Sequence, residues 1–126
     1  MKPRLLLIED NEQNRYLTKF LLERNGFDVL CAQNGPEGIE MADLHLPCGI
    51  LLDIQLPLMD GYAVARALRQ NPKLLSTPII AVTSYAMVGD REKALEAGCT
   101  GYLEKPIDTE TFASQILDWV TKSQCE

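Results

Sequence analysis

The sequence predicts an α/β domain in which helices cover both faces of a five-stranded parallel sheet. Five short apolar runs recur along the 126 residues, and each is followed by a segment with helical periodicity, an alternation that favours parallel strands. The runs are residues 5–8, 27–32, 49–52, 78–82 and 100–103. The third run is apolar throughout, which is typical of a strand covered on both faces. We expect residues 1–126 to form one domain, with no output domain.

The predicted helices have identifiable start and stop signals. The first follows possible N-caps at residues 9–11 and stops at residues 25–26. Its apolar stripe of Leu17, Phe20 and Leu21 is expected to cover the sheet.

Later helices show similar signals. Asp60 is expected to cap the third helix, whose Arg66 and Arg69 are expected to face water. Asp108 is expected to cap the last helix. The inner face of that helix is expected to carry Phe112, Ile116, Leu117 and Val120.

An aspartate ends the buried third strand. Asp53 directly follows the apolar run, and open α/β sheets bind ligands at the C-terminal ends of their strands. Pro57 cannot donate to a sheet ladder, so the chain has entered a loop by that point. The sequence therefore predicts a carboxylate presented from a rigid strand beside a loop, although strand ends are often polar without a functional reason.

The composition excludes several classes of partner. The chain has 12 Lys+Arg against 18 Asp+Glu, a formal net charge of -6, which disfavours nucleic acid and leaves proteins or metal ions. No stretch has the length of a membrane span and no signal peptide opens the chain, so we expect no membrane contact and a cytoplasmic location.

The cysteines lack redox or zinc spacing, and we expect reduced thiols without a shared role. They are Cys31, Cys48, Cys99 and Cys125.

Polar residues stand at the predicted C-terminal ends of four strands. Glu9 and Asp10 follow the first strand, Asp53 the third, Thr83 the fourth and Lys105 the fifth. A parallel sheet brings these ends to one edge, where three carboxylates would repel one another without a cation. Oxygen ligands without His or Cys favour Mg²⁺ or Mn²⁺, which keeps waters that a phosphoryl oxygen can replace. The sequence therefore predicts a metal-assisted phosphate site.

Five motifs in this order resemble the receiver domain of two-component response regulators over the whole chain, in its stand-alone, chemotaxis-regulator-like or phosphorelay form. The motifs are Ile8-Glu9-Asp10-Asn11, Leu52-Asp53, Pro57-x-Met59-Asp60-Gly61, Val82-Thr83-Ser84 and Tyr102-x-x-Lys105-Pro106. The resemblance implies a flavodoxin-like (βα)5 fold with strand order 2-1-3-4-5, an order for which a receiver is itself a known example.

The resemblance also implies a role for each site residue. Asp53 would be the phosphoacceptor, whose carboxylate attacks a phosphoryl group held on a histidine of a partner kinase or phosphotransfer protein. Thr83 and Lys105 would contact phosphoryl oxygens and stabilise their charge. Pro106 would follow a cis peptide bond. The ligands of Mg²⁺ or Mn²⁺ would be Glu9, Asp10, Asp53 and the backbone carbonyl of Gln55.

The implied output is a change of surface. Thr83 would move towards the phosphoryl group and Tyr102 would turn inward, reshaping the face formed by the fourth helix, the fifth strand and the fifth helix. That face would bind a downstream protein target, and the chain would be a monomer or a weak dimer. It would not be an enzyme in the usual sense, although it would take part in its own phosphoryl transfer and autodephosphorylation. A relay intermediate and a final output both fit.

Two other readings remain. A pseudo-receiver, which binds partners without phosphorylation, would be favoured if Asp10, Asp53 or Lys105 were missing, and none is. A phosphatase or flavin carrier on the same scaffold fits less well. The phosphatase would need a second Asp where Gln55 stands, and the flavodoxin would need a phosphate loop where residues 9–12 are acidic.

Overall fold

Five strands form one parallel sheet in the computed structural model, which describes residues 2–83, 89–104 and 111–122. The strands are β1 (Arg4–Ile8), β2 (Asp28–Ala32), β3 (Gly49–Asp53), β4 (Ile79–Thr83) and β5 (Gly101–Glu104). Their order across the sheet is β2-β1-β3-β4-β5. The predicted parallel sheet and the strand order inferred from the resemblance are therefore confirmed.

Helices connect successive strands and follow the last one. They are α1 (Glu12–Arg24), α2 (Gly35–His45), α3 (Gly61–Arg69), α4 (Asp90–Glu96) and α5 (Phe112–Lys122), with a short 3-10 helix at Pro72–Leu74. The Asn11 side chain caps α1 and the Asp60 side chain caps α3, as expected for these residue types. The predicted cap Asp108 lies outside the described residues. Within the described ranges, no helix is both long and apolar enough to cross a membrane.

The core lies on both faces of the sheet, because every residue of β3 and β4 is buried. On one face, Leu52 and Ile79 join a cluster that includes Leu68 of α3. On the other face, Leu51 joins Ile116 of α5. Burial on both sides makes the central strands rigid supports for whatever follows their C-terminal ends.

The predicted inner face of α1 is wrong. Leu17 and Phe20 are 49% and 46% exposed, whereas Thr18 and Leu22 are buried against the sheet. Both pairs recur at helical spacing, and the apolar pair suggested the wrong face because a threonine occupies the inner one. Leu117 of α5 is also 48% exposed rather than internal.

The cysteines follow the prediction only in part. Cys31 and Cys99 are free, and burial raises the pKa of the Cys99 thiol to about 11. Cys48 is disulfide-bonded, so the prediction of four reduced thiols is wrong. Spacing along the sequence was the criterion for that prediction, and it does not report which thiols meet in the folded chain. Cys125 lies outside the described residues.

Candidate metal and phosphoryl site

Three acidic residues meet at the C-terminal edge of the sheet. Ile8 of β1 pairs with Leu52 of β3, so the residues that follow, Glu9 and Asp53, leave the two strands side by side. One carboxylate oxygen from each of Glu9, Asp10 and Asp53 lies within 4.8 Å of the other two. Glu9 and Asp53 are only 3% and 6% exposed, whereas Asp10 is exposed. The parallel sheet thus brings together the three carboxylates that the sequence placed at strand ends.

Backbone donors orient the two buried carboxylates. The Gln55 N–H donates to Asp53 Oδ1 at 3.0 Å, and the Asn11 N–H donates to Glu9 Oε2 at 3.2 Å. Each donor lies two residues beyond its acceptor, as in the local turns that Asp side chains commonly form. Both side chains are therefore held by the loops that carry them.

The start of α3 packs directly on the end of β3. The Gly61 N–H donates to the Ile54 carbonyl at 2.9 Å. A Cβ atom at position 61 would lie 2.5 Å from Ile54 Cα and 2.9 Å from the Asp53 carbonyl oxygen, so no side chain fits there. This close approach explains why glycine follows the capping Asp60.

The other predicted phosphoryl contacts belong to β4 and to the segment after β5. Asp53 pairs with Val82, so Thr83 is one step beyond it on the neighbouring strand, where it is 2% exposed. Lys105 and Pro106 lie outside the described residues, and their roles stay predictions.

The profile of the family described as "Response regulator receiver domain" matches residues 5–117. The chain belongs to this family.

Relatives and solved structures match this receiver along nearly its whole length. It is 38% identical over 120 residues to the polar-differentiation response regulator DivK of Brucella anthropi, covering 95% of this chain and 98% of DivK. The receiver domain of the Pseudomonas aeruginosa sensor histidine kinase PA1611, with a magnesium ion coordinated in its active site cleft, is 32% identical with a TM-score of 0.89. That match covers 96% of this chain and 99% of the other. A Chloroflexus aurantiacus response regulator is 25% identical with a TM-score of 0.91, and the match covers 96% of this chain and 99% of the other.

A small cavity lies beneath the carboxylates of this receiver. Its volume is about 10 Å³, close to the space that one water molecule needs. Glu9, Asp53, Thr18 and Phe112 contribute to its walls. Sequence reasoning missed Thr18, although a hydroxyl residue at an inward helical position was a signal that could have indicated it.

Tyr102, the predicted switch residue, packs against the core beside Tyr62. Its hydroxyl is buried and has no hydrogen-bond partner within the described part of the chain. The Tyr62 hydroxyl donates to Asp90 Oδ1 at 3.3 Å, which links α3 to the first turn of α4. Burial, and then the Asp90 charge, raises the pKa of Tyr62 to about 12. Burial also raises the pKa of Tyr102. The link between Tyr62 and Asp90 left no signal in the sequence.

Mutual repulsion of the three carboxylates should destabilise the metal-free receiver. Asp10→Asn removes one charge while keeping the shape of the side chain. Because Asp10 is exposed, we expect a gain of roughly 1 kcal/mol in the free energy of unfolding, or about 4 °C in melting temperature. The measurement is thermal unfolding in a chelating buffer at low ionic strength. Asp28→Asn, at an exposed site on β2, is the control, and equal changes in both variants would contradict the prediction.

Proposed function

We propose that this receiver is a signalling switch that accepts a phosphoryl group on Asp53 in a Mg²⁺-dependent reaction. The observation that carries the proposal is the cluster of Glu9, Asp10 and Asp53 oxygens within 4.8 Å at the end of β3. A donor set made only of carboxylate oxygens suits Mg²⁺, with Mn²⁺ as a substitute. The magnesium ion in the PA1611 receiver domain supports the same choice here.

The residues of this chain divide the chemistry between them. Bound Mg²⁺ would offset the charge of the carboxylates and of the phosphoryl oxygens. A carboxylate oxygen of Asp53 forms the bond to phosphorus while the bond from phosphorus to the donor's histidine nitrogen breaks, and that electron pair returns to the imidazole. The Gln55 N–H holds Asp53 in place, and its carbonyl completes the proposed ligands. Thr83 and Lys105 contact the phosphoryl oxygens, where charge spreads in the transition state.

The phosphoryl donor is a histidine kinase or a histidine phosphotransfer protein, and the output is a change in the face made by α4, β5 and α5. Tyr102 lies at this face, and its buried hydroxyl lacks a described partner. A buried hydroxyl without a hydrogen bond is unfavourable, which supports Tyr102 as a residue that changes position when the face switches. The chain would work as a stand-alone regulator of a downstream protein, in the cytoplasm where such kinases present their histidine.

Intact mass after incubation with acetyl phosphate and Mg²⁺ tests the proposal. We expect the gain of one phosphoryl group, and no gain when a chelator replaces the metal. If no gain is seen, titration with Mg²⁺ and beryllofluoride asks whether the site binds the phosphoryl mimic. Failure of both would overturn the proposal and favour the pseudo-receiver reading.

An exposed apolar surface on α1, the helix that follows the acidic loop, supports a protein as the phosphoryl donor. Tyr16, Leu17 and Phe20 on α1 are 72%, 49% and 46% exposed. The Tyr16 and Phe20 rings stack with centroids 6.5 Å apart, and the Arg24 guanidinium lies 5.7 Å from the Phe20 ring centroid. Exposed aromatic residues of this kind commonly anchor protein interfaces. We name this α1 surface the aromatic stripe and expect the histidine-bearing partner to contact it.

Phe20→Ala should separate partner docking from chemistry. We expect phosphotransfer from a phosphorylated histidine phosphotransfer protein to slow by about tenfold, because an aromatic anchor in an interface contributes more than 1 kcal/mol. The rate with acetyl phosphate should not change, since that donor needs no docking surface. Leu44→Ala, at a 73% exposed position on α2, is the matched control. Equal slowing with both donors, or none with either, would argue against the aromatic stripe as the docking surface.

A further inference from the structure

Arg15 on α1 contacts the backbone that carries two of the three carboxylates. Its Nη1 donates to the Glu9 carbonyl at 3.0 Å and lies 3.4 Å from the Asp10 carbonyl oxygen. The Glu9 N–H donates to the Ala32 carbonyl at 3.0 Å, so the turn between β1 and α1 is held from the sheet as well as from the helix. The half-buried guanidinium therefore fixes two consecutive peptide groups of the acidic loop.

The choice of partner is unusual for an arginine in acidic surroundings. A guanidinium commonly forms bidentate ion pairs with carboxylates. No ion pair joins Arg15 to a carboxylate among the described residues, and its hydrogen bonds go to carbonyl oxygens instead. Arg15 thus orders the loop without occupying the carboxylate oxygens of Glu9 and Asp10.

We propose that Arg15 is a positioning residue that preorganises the acidic loop for the metal ion. This inference rests on the proposed function, because it assigns Arg15 to the same Mg²⁺ site. Holding the peptide groups of Glu9 and Asp10 fixes the directions in which their side chains leave the backbone. A loop ordered before binding loses less conformational entropy when the ion binds.

The positioning role of Arg15 and its positive charge predict opposite effects on the affinity for Mg²⁺. A positive charge beside a cation site opposes Mg²⁺, so if charge alone mattered, removal of Arg15 would tighten binding. If Arg15 acts by positioning, its removal weakens binding even though a repulsive charge is lost. The sign of the change in Mg²⁺ affinity therefore distinguishes the two.

Calorimetric titration with Mg²⁺ alone, at fixed pH and ionic strength, provides the test. We expect Arg15→Met to raise the dissociation constant by about tenfold, the size of effect seen when groups that support metal ligands are removed. Arg15→Lys keeps the charge but replaces the planar fork with one ammonium, and it should recover only part of the affinity. Lys19→Met, which removes another half-buried cation from α1, is the matched control and should change the dissociation constant by less than about twofold.

A second measurement reports on the loop itself. The Asn11 N–H donates to the Glu9 carboxylate, so its hydrogen exchange in metal-free protein should accelerate in Arg15→Met and not in Lys19→Met. Unchanged or tighter Mg²⁺ binding in Arg15→Met would overturn the inference. If Arg15→Met does not fold, the Mg²⁺ affinity of Arg15→Lys is the test. An affinity equal to that of the wild type would then overturn the inference. Absence of Mg²⁺ binding by the wild type would instead overturn the proposed function, and this inference with it.

Discussion

Asp53→Asn is expected to abolish the phosphoryl gain from acetyl phosphate, lowering the rate by at least about a hundredfold, because an amide does not replace a carboxylate nucleophile. The side chain keeps its size and an oxygen that accepts the Gln55 N–H, so the loop should keep its shape. The variant also loses one of the three clustered charges. We therefore expect a metal-free melting temperature at or above that of the wild type.

Asp60→Asn is the matched control for this experiment. Asp60 caps α3 by accepting the Ala63 N–H at 3.0 Å, and asparagine caps helices equally well. Its carboxylate is outside the cluster of Glu9, Asp10 and Asp53, so phosphorylation should proceed normally. Intact mass reads out both variants, and peptide mapping of the wild type locates the modified residue. A full phosphoryl gain in Asp53→Asn would show that another side chain is the acceptor.

Arg69→Met is expected to lower the free energy of unfolding by about 3 kcal/mol, because it leaves several backbone acceptors without their donor. Arg69 Nε donates to the Gly98 carbonyl at 2.7 Å. Its Nη1 donates to the carbonyls of Leu74 and Thr77, each at 2.7 Å, and Nη2 donates to Thr100 Oγ1 at 3.1 Å. One guanidinium thus joins the end of α3 to the segments before β4 and β5.

Urea denaturation measures this effect, with Arg66→Met as the control. Arg66 is on the same helix but exposed, and its replacement should change the free energy of unfolding by less than about 0.5 kcal/mol. A loss below about 1 kcal/mol in Arg69→Met would mean that water replaces the guanidinium at these carbonyls.

The sheet and its acidic edge could be predicted because both depend on simple periodic signals. A buried parallel strand such as β3 is continuously apolar, and the acid that interrupts it must stand at the strand end. Glu9 and Asp53 were each predicted at the end of a strand. Since parallel strands share one C-terminal edge, they were expected at the same edge of the sheet, and their carboxylates do meet there. The roles of Lys105 and Pro106 stay predictions from the resemblance.

Other features depend on contacts between distant parts of the chain. Arg69 was expected to face water, but its guanidinium donates to backbone carbonyls and to one hydroxyl in the segments before β4 and β5, which no local pattern reveals. Thr18 faces the sheet while Phe20 is exposed, and helical periodicity alone fits either face. Because the apolar stripe of Leu17 and Phe20 does not cover the core, it is available to a partner.

The segment 55–60 gives this receiver a surface that can change without disturbing the acidic site. Backbone hydrogen bonds fix the residues that flank it. The Ile54 N–H donates to the Val82 carbonyl at 3.1 Å, and the Gly61 N–H donates to the Ile54 carbonyl at 2.9 Å. Leu58 between them is 85% exposed. Substitutions at this position would change the surface beside Asp53, the proposed phosphoacceptor, without moving that residue, so the choice of partner can change while the site stays intact.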